Sequence, residues 1–183
     1  MANISLTVAQ YIAASVTYTA SDVVTISDTG SNIAGLTGTQ FTNLAANNID
    51  FLDASDNILT LTAANVVALG TVALTSTDFV TVADSAANLA ALTAANFTTL
   101  ATKGVDKIVP ASALTLTAAQ YAALGGVVVD DSTVNVIADT GANIAGLTAA
   151  QIGTLAGNGF DTINASDNVL SLTTAQALAL GPS

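Results

Sequence analysis

The sequence is distinguished first by the residue types that it lacks. Its 183 residues include no Cys, His or Trp, and aromatic residues make up only 4% of the chain. The absence of Cys excludes disulfides and thiolate metal sites. Without His or Cys, a Ser-His-Asp or Cys-His catalytic site is impossible. A core with so few aromatic rings must be built from small and β-branched side chains.

Positive charge is almost missing. Two Lys stand against 13 acidic residues, all of them Asp, and the net charge is −11. Proteins that bind nucleic acid use cationic side chains to replace condensed counterions, and anionic membrane surfaces attract the same side chains. We therefore expect neither nucleic acid nor an anionic membrane as a partner. An acidic surface suits solubility, cation binding or an extracellular location.

Long hydrophobic runs are also absent, although the mean hydropathy is +0.64. Thr, Asn and Asp interrupt each apolar run before the ~18 residues that a membrane-spanning helix needs. The opening segment MANISLTVAQ has no basic region and no long apolar stretch, so it does not have the pattern of a Sec signal peptide. The sequence therefore predicts no membrane insertion.

One short motif is present in excess. The letters LTAAQ occur at 116–120 and 147–151, and near-copies begin at Leu6, Leu36, Leu61, Leu92 and Leu172. Thr followed three residues later by Gln is a capping box, in which each residue satisfies a backbone N–H of the other. Each copy therefore predicts a helix of about two turns. We expect left-handed helix stops at Asn48, Gly70, Gly104, Gly125, Gly159 and Gly181.

Helices this short need support from packing, because they are marginal in isolation. One Leu in each helix is the expected contact: Leu44, Leu69, Leu100, Leu124, Leu155 and Leu180. Between the helices, alternating apolar residues predict strands with one buried face. These residues are Val72, Leu74, Val80 and Val82, and one period later Val127, Val129, Val134 and Val136.

The motif recurs at alternating long and short intervals, so two half-units make one period of about 55 residues. A half-unit is too small to bury its own apolar face, and stacking the copies solves this. We predict an α/β repeat fold, a solenoid of stacked strand-turn-strand-short-helix coils with a parallel sheet. Residues 1–183 would form a single repeat array, with a partial repeat over 1–15 and repeats over 16–70, 71–125 and 126–181.

An alternative fold is a tandem row of compact β-rich domains, one for each period. The turns at Ser21-Asp22, Thr77-Asp78 and Ser132-Thr133 would then join antiparallel strands. In either fold, the first residues (ISLTVAQYIAAS) and the last (LSLTTAQALALG) belong to the same kind of half-unit. This match predicts stacking on further repeats of the same chain or head-to-tail stacking of copies, and an open head-to-tail contact makes a filament.

The sequence predicts no enzyme, because the usual acid-base groups are absent. The pairs Asp130-Asp131 and Asp53/Asp56 are candidates for carboxylate chemistry by residue type alone, and exposed turn residues are the simpler interpretation. Lys103 and Lys107 occur in only one period. Surface lysines that favour solubility are the simpler interpretation for them.

Calcium is the one cofactor that the residue types favour. Clustered Asp and Asn oxygens suit a hard cation, and they occur in the turns DASDN and NASDN and near residue 130. The alternative interpretation is that these side chains hydrogen-bond their own turn backbones. The candidate ligands are Asp53, Asp56, Asn164, Asp167, Asp130 and Asp131.

Two further sets of Asp repeat with the period. They are Asp50, Asp106 and Asp161, and Asp28, Asp84 and Asp139. A residue that repeats together with the fold usually serves the fold. We therefore predict that both sets cap helices and satisfy the backbone of their own turns.

The unit DTGANIAGLTAAQIGTLAGNGFDTINASDNVLSLTTAQALALG, from Asp139 to Gly181, resembles repeats in very large surface proteins that alphaproteobacteria and their relatives export. This resemblance covers essentially the whole chain and brings no catalytic motif. It implies an extracellular adhesin or surface-layer-type protein, of a kind often exported by type I secretion with calcium-dependent folding.

Together, the residues and the resemblance predict a structural repeat segment of a bacterial cell-surface, adhesin, S-layer-type or self-assembling filament protein that acts as a stiff scaffold. The alternative is a calcium- or carbohydrate-binding adhesive module that contacts cell-surface glycans.

Overall fold

A computed structural model describes residues 1–14 and 18–181. The predicted boundary between the partial repeat and the first repeat, at Ser15 and Val16, lies outside these residues. The chain forms two compact units, Met1–Ala83 with Thr102–Asp106, and Asp84–Ala101 with Lys107–Ser183. Both units consist of short helices and short strands, and the paired strands are parallel.

The elements that begin in the first unit are, in chain order, β1 (Asn3–Leu6), α1 (Val8–Ala13), β2 (Val23–Asp28), α2 (Gly30–Ala34), α3 (Gly38–Ala46), β3 (Phe51–Ala54), β4 (Ile58–Leu61), α4 (Ala63–Ala68), β5 (Ala73–Leu74) and β6 (Phe79–Asp84). One parallel sheet has the strand order β1-β2-β3-β5. A second parallel pair joins β4 to β6, with Ile58 opposite Phe79.

The elements that begin in the second unit are α5 (Ala86–Ala90), α6 (Ala94–Thr102), β7 (Lys107–Pro110), β8 (Thr115–Leu116), α7 (Ala118–Ala123), β9 (Val128–Val129), β10 (Val136–Asp139), α8 (Gly141–Ala145), α9 (Ala149–Gly153), a 3₁₀ turn (Ala156–Asn158), β11 (Thr162–Ala165) and α10 (Thr174–Ala179). Strand β10 lies between β8 and β11, and β7 pairs with β9. The architecture is therefore α/β with parallel sheets, as the sequence predicts.

The two-residue turns do not join antiparallel strands. Thr77-Asp78 leads from β5, which pairs with β3, to β6, which pairs with β4. Ser132-Thr133 leads from β9, which pairs with β7, to β10. Between Tyr18 and the start of β2, no strand precedes Ser21-Asp22. The hairpin alternative is therefore wrong, because each turn carries the chain towards a strand that pairs elsewhere.

The predicted helix signals are confirmed. Complete capping boxes begin α1, α3, α7, α9 and α10, each with Thr as the N-cap residue and Gln three residues later. The left-handed conformation appears at each predicted stop: Asn48, Gly70, Gly104, Gly125, Gly159 and Gly181. Each copy of the five-letter motif thus marks the start of a helix, whereas α2, α5 and α8 begin without it.

The predicted core is confirmed in most positions. Leu44, Leu69, Leu100, Leu124 and Leu155 are buried, whereas Leu180 is 47% exposed. The expected strand face is wrong for Val134 and Val136, since the inward residues of this segment are Asn135 and Ile137. Asn135 is fully buried at the position that Val80 holds one period earlier, and its amide is satisfied by hydrogen bonds.

Candidate functional site

Three carboxylates join neighbouring strands by the same pair of bonds. The side chain of Asp50 accepts from the N–H of Val24 at 2.8 Å, and the N–H of Asp50 donates to the carbonyl of Val24 at 2.9 Å. The same two bonds link Asp106 to Val80, and Asp161 to Asn135. Each Asp therefore clamps the backbone of one residue that lies 26 positions earlier.

This geometry corrects the prediction for Asp50, Asp106 and Asp161, whose side chains bond a distant strand rather than their own turn. The prediction for the other set is confirmed in part. The Asp28 carboxylate accepts from the N–H of Thr29 and from the Asn32 amide, both next to the start of α2. Its second oxygen accepts from the N–H of Val8, 20 residues earlier, at 3.0 Å.

The same arrangement recurs at Asp139, which bonds Thr140, Asn143 and the distant N–H of Ala118. Asp84 makes the corresponding local bonds to Ser85 and Asn88. Donation by the Asn32 amide and by backbone N–H groups lowers the pKa of Asp28 below its usual value of 3.8. Neutral donors, rather than cationic side chains, thus favour the ionised form of the Asp28 carboxylate.

The first calcium candidate, Asp53, lies on β3 within hydrogen-bond distance of two hydroxyls. Ser27 Oγ donates at 2.7 Å, and Thr75 Oγ1 lies 3.1 Å from the other oxygen. Thr75 Oγ1 also lies 2.7 Å from a carboxylate oxygen of Asp78. Since a hydroxyl has one hydrogen, it can donate to only one of the two carboxylates at a time.

Asp78 is the most buried carboxylate of this group, at 7% exposure. One of its oxygens accepts from the N–H of Ala54 at 2.9 Å, and its other oxygen is buried without a hydrogen-bond partner in the described structure. The structure therefore places Asp53 and Asp78 around one hydroxyl, a proximity that the sequence does not indicate.

The turn carboxylates Asp56 and Asp167 have equivalent roles. Asp56 accepts from the N–H of Gly30 at 2.9 Å, and Asp167 accepts from the N–H of Gly141 at 3.0 Å. Donation by Gly141 and by Val169 lowers the pKa of Asp167. Asn164 is exposed on β11, opposite Ala138 of β10. Each of the two carboxylates thus holds the first residue of a helix 26 positions earlier.

The remaining pair of candidates separates into one bound and one exposed carboxylate. Asp130 lies 2.6 Å from Lys107 Nζ and accepts from the N–H of Ser132. The Lys107 ammonium lowers the pKa of Asp130 to about 2. Asp131 is exposed in the same turn. Within residues 1–14 and 18–181, no group of three or more Asp side chains is placed to hold a metal ion.

Lys103 has a structural contact that the sequence interpretation missed. Its ammonium donates to the carbonyl of Gly70 at 2.7 Å and to the carbonyl of Val72. Burial lowers the pKa of Lys103. The sequence marks this residue only by its position, since Lys103 replaces the Asn that stands at residues 47 and 158 of the other periods.

Two Gln residues also make contacts that the capping-box pattern does not predict. Besides closing their boxes, Gln120 donates to the carbonyls of Ala90 and Leu92, and Gln176 donates to the carbonyls of Ala145 and Leu147. These carbonyls lie around 30 residues earlier in the chain. Side-chain bonds to distant backbone are therefore the repeated feature of this protein.

What these side chains do chemically is link separate segments of the chain by hydrogen bonds. Apart from the exposed Asp131, the carboxylates described above accept from N–H groups, hydroxyls or Lys107, and many of these bonds connect successive strands and helices. Among the described helices, none is long and apolar enough to cross a membrane. Comparison of the chain with protein-family models, with characterised proteins and with solved structures gave no match.

Proposed function

We propose that this chain is a structural repeat segment of an extracellular bacterial protein, of the surface, adhesin, S-layer or filament type, and that it acts as a stiff scaffold. The carrying observation is the recurrence of the Asp clamp at Asp50, Asp106 and Asp161. A residue that performs the same cohesive task in every period supports a protein whose product is a regular, extendable structure.

The solenoid belongs to this proposal. Its support is that strands from successive half-units pair in parallel, such as Thr25 with Phe51 and Val136 with Thr162. Both of these pairings are accompanied by an Asp clamp. Stacking of this kind gives every repeat its core from its neighbours, which resists bending better than beads on a linker.

The extracellular location and the export route rest on the resemblance of the repeat unit to exported surface proteins. The acidic surface, with a net charge of −11, is compatible with this setting. The absence of His and Cys, and the engagement of the carboxylates by structural donors, favour a non-enzymatic role. Its partners would be further repeats of the same kind.

Electron microscopy and small-angle X-ray scattering of the purified chain test the scaffold. We expect rod-like particles with a constant cross-section, and end-to-end association at high protein concentration. Asp106→Ala, which removes one clamp, should increase the flexibility of the rods, whereas Asp131→Ala should not. Spherical particles, or two beads that move independently, would contradict the proposal.

A second candidate function is a calcium- or carbohydrate-binding adhesive module. One observation favours it, namely the meeting of the Asp53 and Asp78 carboxylates at the Thr75 hydroxyl, with one Asp78 oxygen unpartnered. Titration with calcium while the melting temperature is followed distinguishes the two functions. A rise of several degrees at millimolar calcium that Asp53→Asn abolishes would favour the module, since a ligand stabilises the state that it binds.

A further inference from the structure

Strand β11 has an open edge. It pairs with β10, and within the described residues no strand lies on its other side. The corresponding strand of the first unit, β3, has β2 on one side and β5 on the other. In the second unit, the corresponding strand β7 is covered by β9. In the part of the chain that the structure describes, no strand lies beside β11 as β5 lies beside β3 and β9 lies beside β7.

The bonds that such a strand makes are visible in the covered cases. Ala73 donates its N–H to the carbonyl of Asp50 at 2.8 Å, and Thr75 donates to the carbonyl of Leu52 at 3.0 Å. On β11 the carbonyls of Asp161 and Ile163 stand at the positions of Asp50 and Leu52. An extended backbone laid along β11 would find the same two acceptors.

An apolar groove of about 450 Å³ lies beside this edge. The large apolar side chains that line it are Ile152, Leu155, Phe160, Ile163, Leu170 and Leu180. The groove belongs entirely to the second unit.

Two Leu residues of the groove are more exposed than their equivalents in the earlier repeats. Leu180 is 47% exposed, whereas Leu69 and Leu124, at the same position of their repeats, are fully buried. Leu170 is 41% exposed, whereas its equivalent Leu114 is fully buried. The groove thus presents two side chains whose equivalents in the earlier repeats are buried.

The strands that fill this place elsewhere share one pattern. Val72-Ala73-Leu74 and Val127-Val128-Val129 both place an apolar residue at the first and third positions. Val72, Val127 and Val129 are buried. The preferred occupant is therefore an extended segment of the form Val-x-apolar that pairs in parallel with β11.

We propose that the edge of β11 and its groove form an acceptor site for one such extended segment, supplied by a further repeat of this type. This inference rests on the proposed scaffold function and names the contact by which it extends. Backbone bonds to the carbonyls of Asp161 and Ile163 set the register. The apolar side chains at the first and third positions enter the groove beside Leu170 and Leu180.

The test uses the synthetic peptide GTVALTSTD, the sequence of residues 70–78, labelled for fluorescence anisotropy with the 183-residue chain. We expect saturable binding and, in hydrogen-exchange NMR, new protection near residues 161–163. In the chain, Leu180→Asp should weaken binding about tenfold or more, since it places a charge against buried apolar surface. Leu178→Asp is the matched control, because Leu178 lies in α10 two residues before Leu180, is 76% exposed and does not line the groove.

Two altered peptides test the apolar contacts and the backbone hydrogen bonds separately. Replacing the Val at the position of Val72 by Asp should abolish measurable binding. Methylating the backbone nitrogen at the position of Ala73 removes one hydrogen bond and should weaken binding about fivefold. The peptide GGVVVDDST, the sequence of residues 125–133, should compete for the same site.

Equal binding to the wild-type, Leu180→Asp and Leu178→Asp chains, or no binding at all, would overturn the acceptor site. So would a dimer, seen by sedimentation, that the peptide does not dissociate, because the groove would then serve another contact between copies. Rods without peptide binding would refute this inference and leave the scaffold standing. Peptide binding without rods would support the acceptor site and refute the scaffold.

Discussion

At the residue scale, Asp side chains link neighbouring strands of the fold through the clamps at Asp50, Asp106 and Asp161. The Asp side chain is short, so its carboxylate stays close to its own backbone. The Asp50 carboxylate can therefore accept from the N–H of Val24 while the N–H of Asp50 donates to the carbonyl of Val24. The sequence predicts correctly that the repeating Asp residues serve the fold. It does not identify their partners, because a partner 26 residues away depends on strand register, which local turn chemistry does not specify.

Replacing Asp50 by Ala should lower the free energy of unfolding by about 1–2 kcal/mol, because the buried residue Val24 keeps an N–H without an acceptor. Asp50→Asn retains an acceptor oxygen and should cost less. Urea unfolding followed by circular dichroism measures both changes. The matched control is Asp131→Ala, which removes the same charge from an exposed turn and should change stability by less than about 0.5 kcal/mol. Equal effects at residues 50 and 131 would mean that charge, not the clamp, is responsible.

At the scale of elements, turns and helices are matched across the chain. The turns that contain Asp56 and Asp167 accompany helices that begin with Gly30 and Gly141, whereas the period whose turn reads VPASA has Ala86 at that place. A Cβ on Gly30 would lie 1.8 Å from the carbonyl oxygen of Ile58. The co-occurrence is visible in the sequence, but its cause, the close approach of two backbones, is visible only in the structure.

Two Gly-to-Ala substitutions at the first residue of neighbouring helices should have opposite effects. Gly30→Ala should destabilise the protein by about 1–3 kcal/mol or more, since the methyl group meets fixed backbone. Gly38→Ala meets nothing within 4 Å and should stabilise it by about 0.4–1 kcal/mol. Thermal and urea unfolding of the two variants provide the comparison. A stabilising Gly30→Ala would show that the approach of α2 to residue 58 is not tight.

A comparison of two capping-box Gln residues distinguishes the contribution of helix capping from that of bonds to distant backbone. Gln151→Ala removes a cap and should cost about 1 kcal/mol. Gln120→Ala removes a cap together with two bonds to the carbonyls of Ala90 and Leu92, and should cost about 2–3 kcal/mol. Differential scanning calorimetry of both variants tests this order. Equal losses would reduce the role of Gln120 to capping alone.

The capping boxes and helix stops could be predicted because they depend on residues three to ten positions apart. The face of the strand at Val134–Val136 could not, because the buried position is held by Asn135. Apolar alternation cannot reveal a buried amide whose oxygen accepts from Leu114 and whose nitrogen donates to Asp130 and Gly159. The calcium candidates Asp53, Asp56 and Asp167 show the same limit, since each has a partner from another half-unit.

For the whole molecule, acidity acts on stability through carboxylates that are hydrogen-bonded in the folded state. The pKa values of Asp22, Asp28, Asp139 and Asp167 lie below 3.8, and that of Asp130 is about 2. As the pH falls, the unfolded chain therefore takes up protons before the folded one. The stability from these groups is complete above about pH 4 and is lost as the pH falls through the folded pKa values.

Asp130→Asn tests this sign. The wild-type chain should be more stable than the variant at neutral pH, and the difference should shrink between pH 3.8 and about 2, where the carboxylate beside Lys107 becomes protonated. Urea midpoints measured at several pH values give the difference directly. A gap between wild type and variant that stays constant down to about pH 2 would contradict the assigned role of the ion pair.

The engagement of both lysines has a consequence for proteolysis. Trypsin cleaves after Lys or Arg, and this chain contains only Lys103 and Lys107. Their ammonium groups are bound to the carbonyls of Gly70 and Val72 and to Asp130. A protease must withdraw these side chains before it can cut, so digestion requires local opening. The native protein should therefore survive trypsin-like enzymes, and the rate of its rare cleavage reports how often this one region opens.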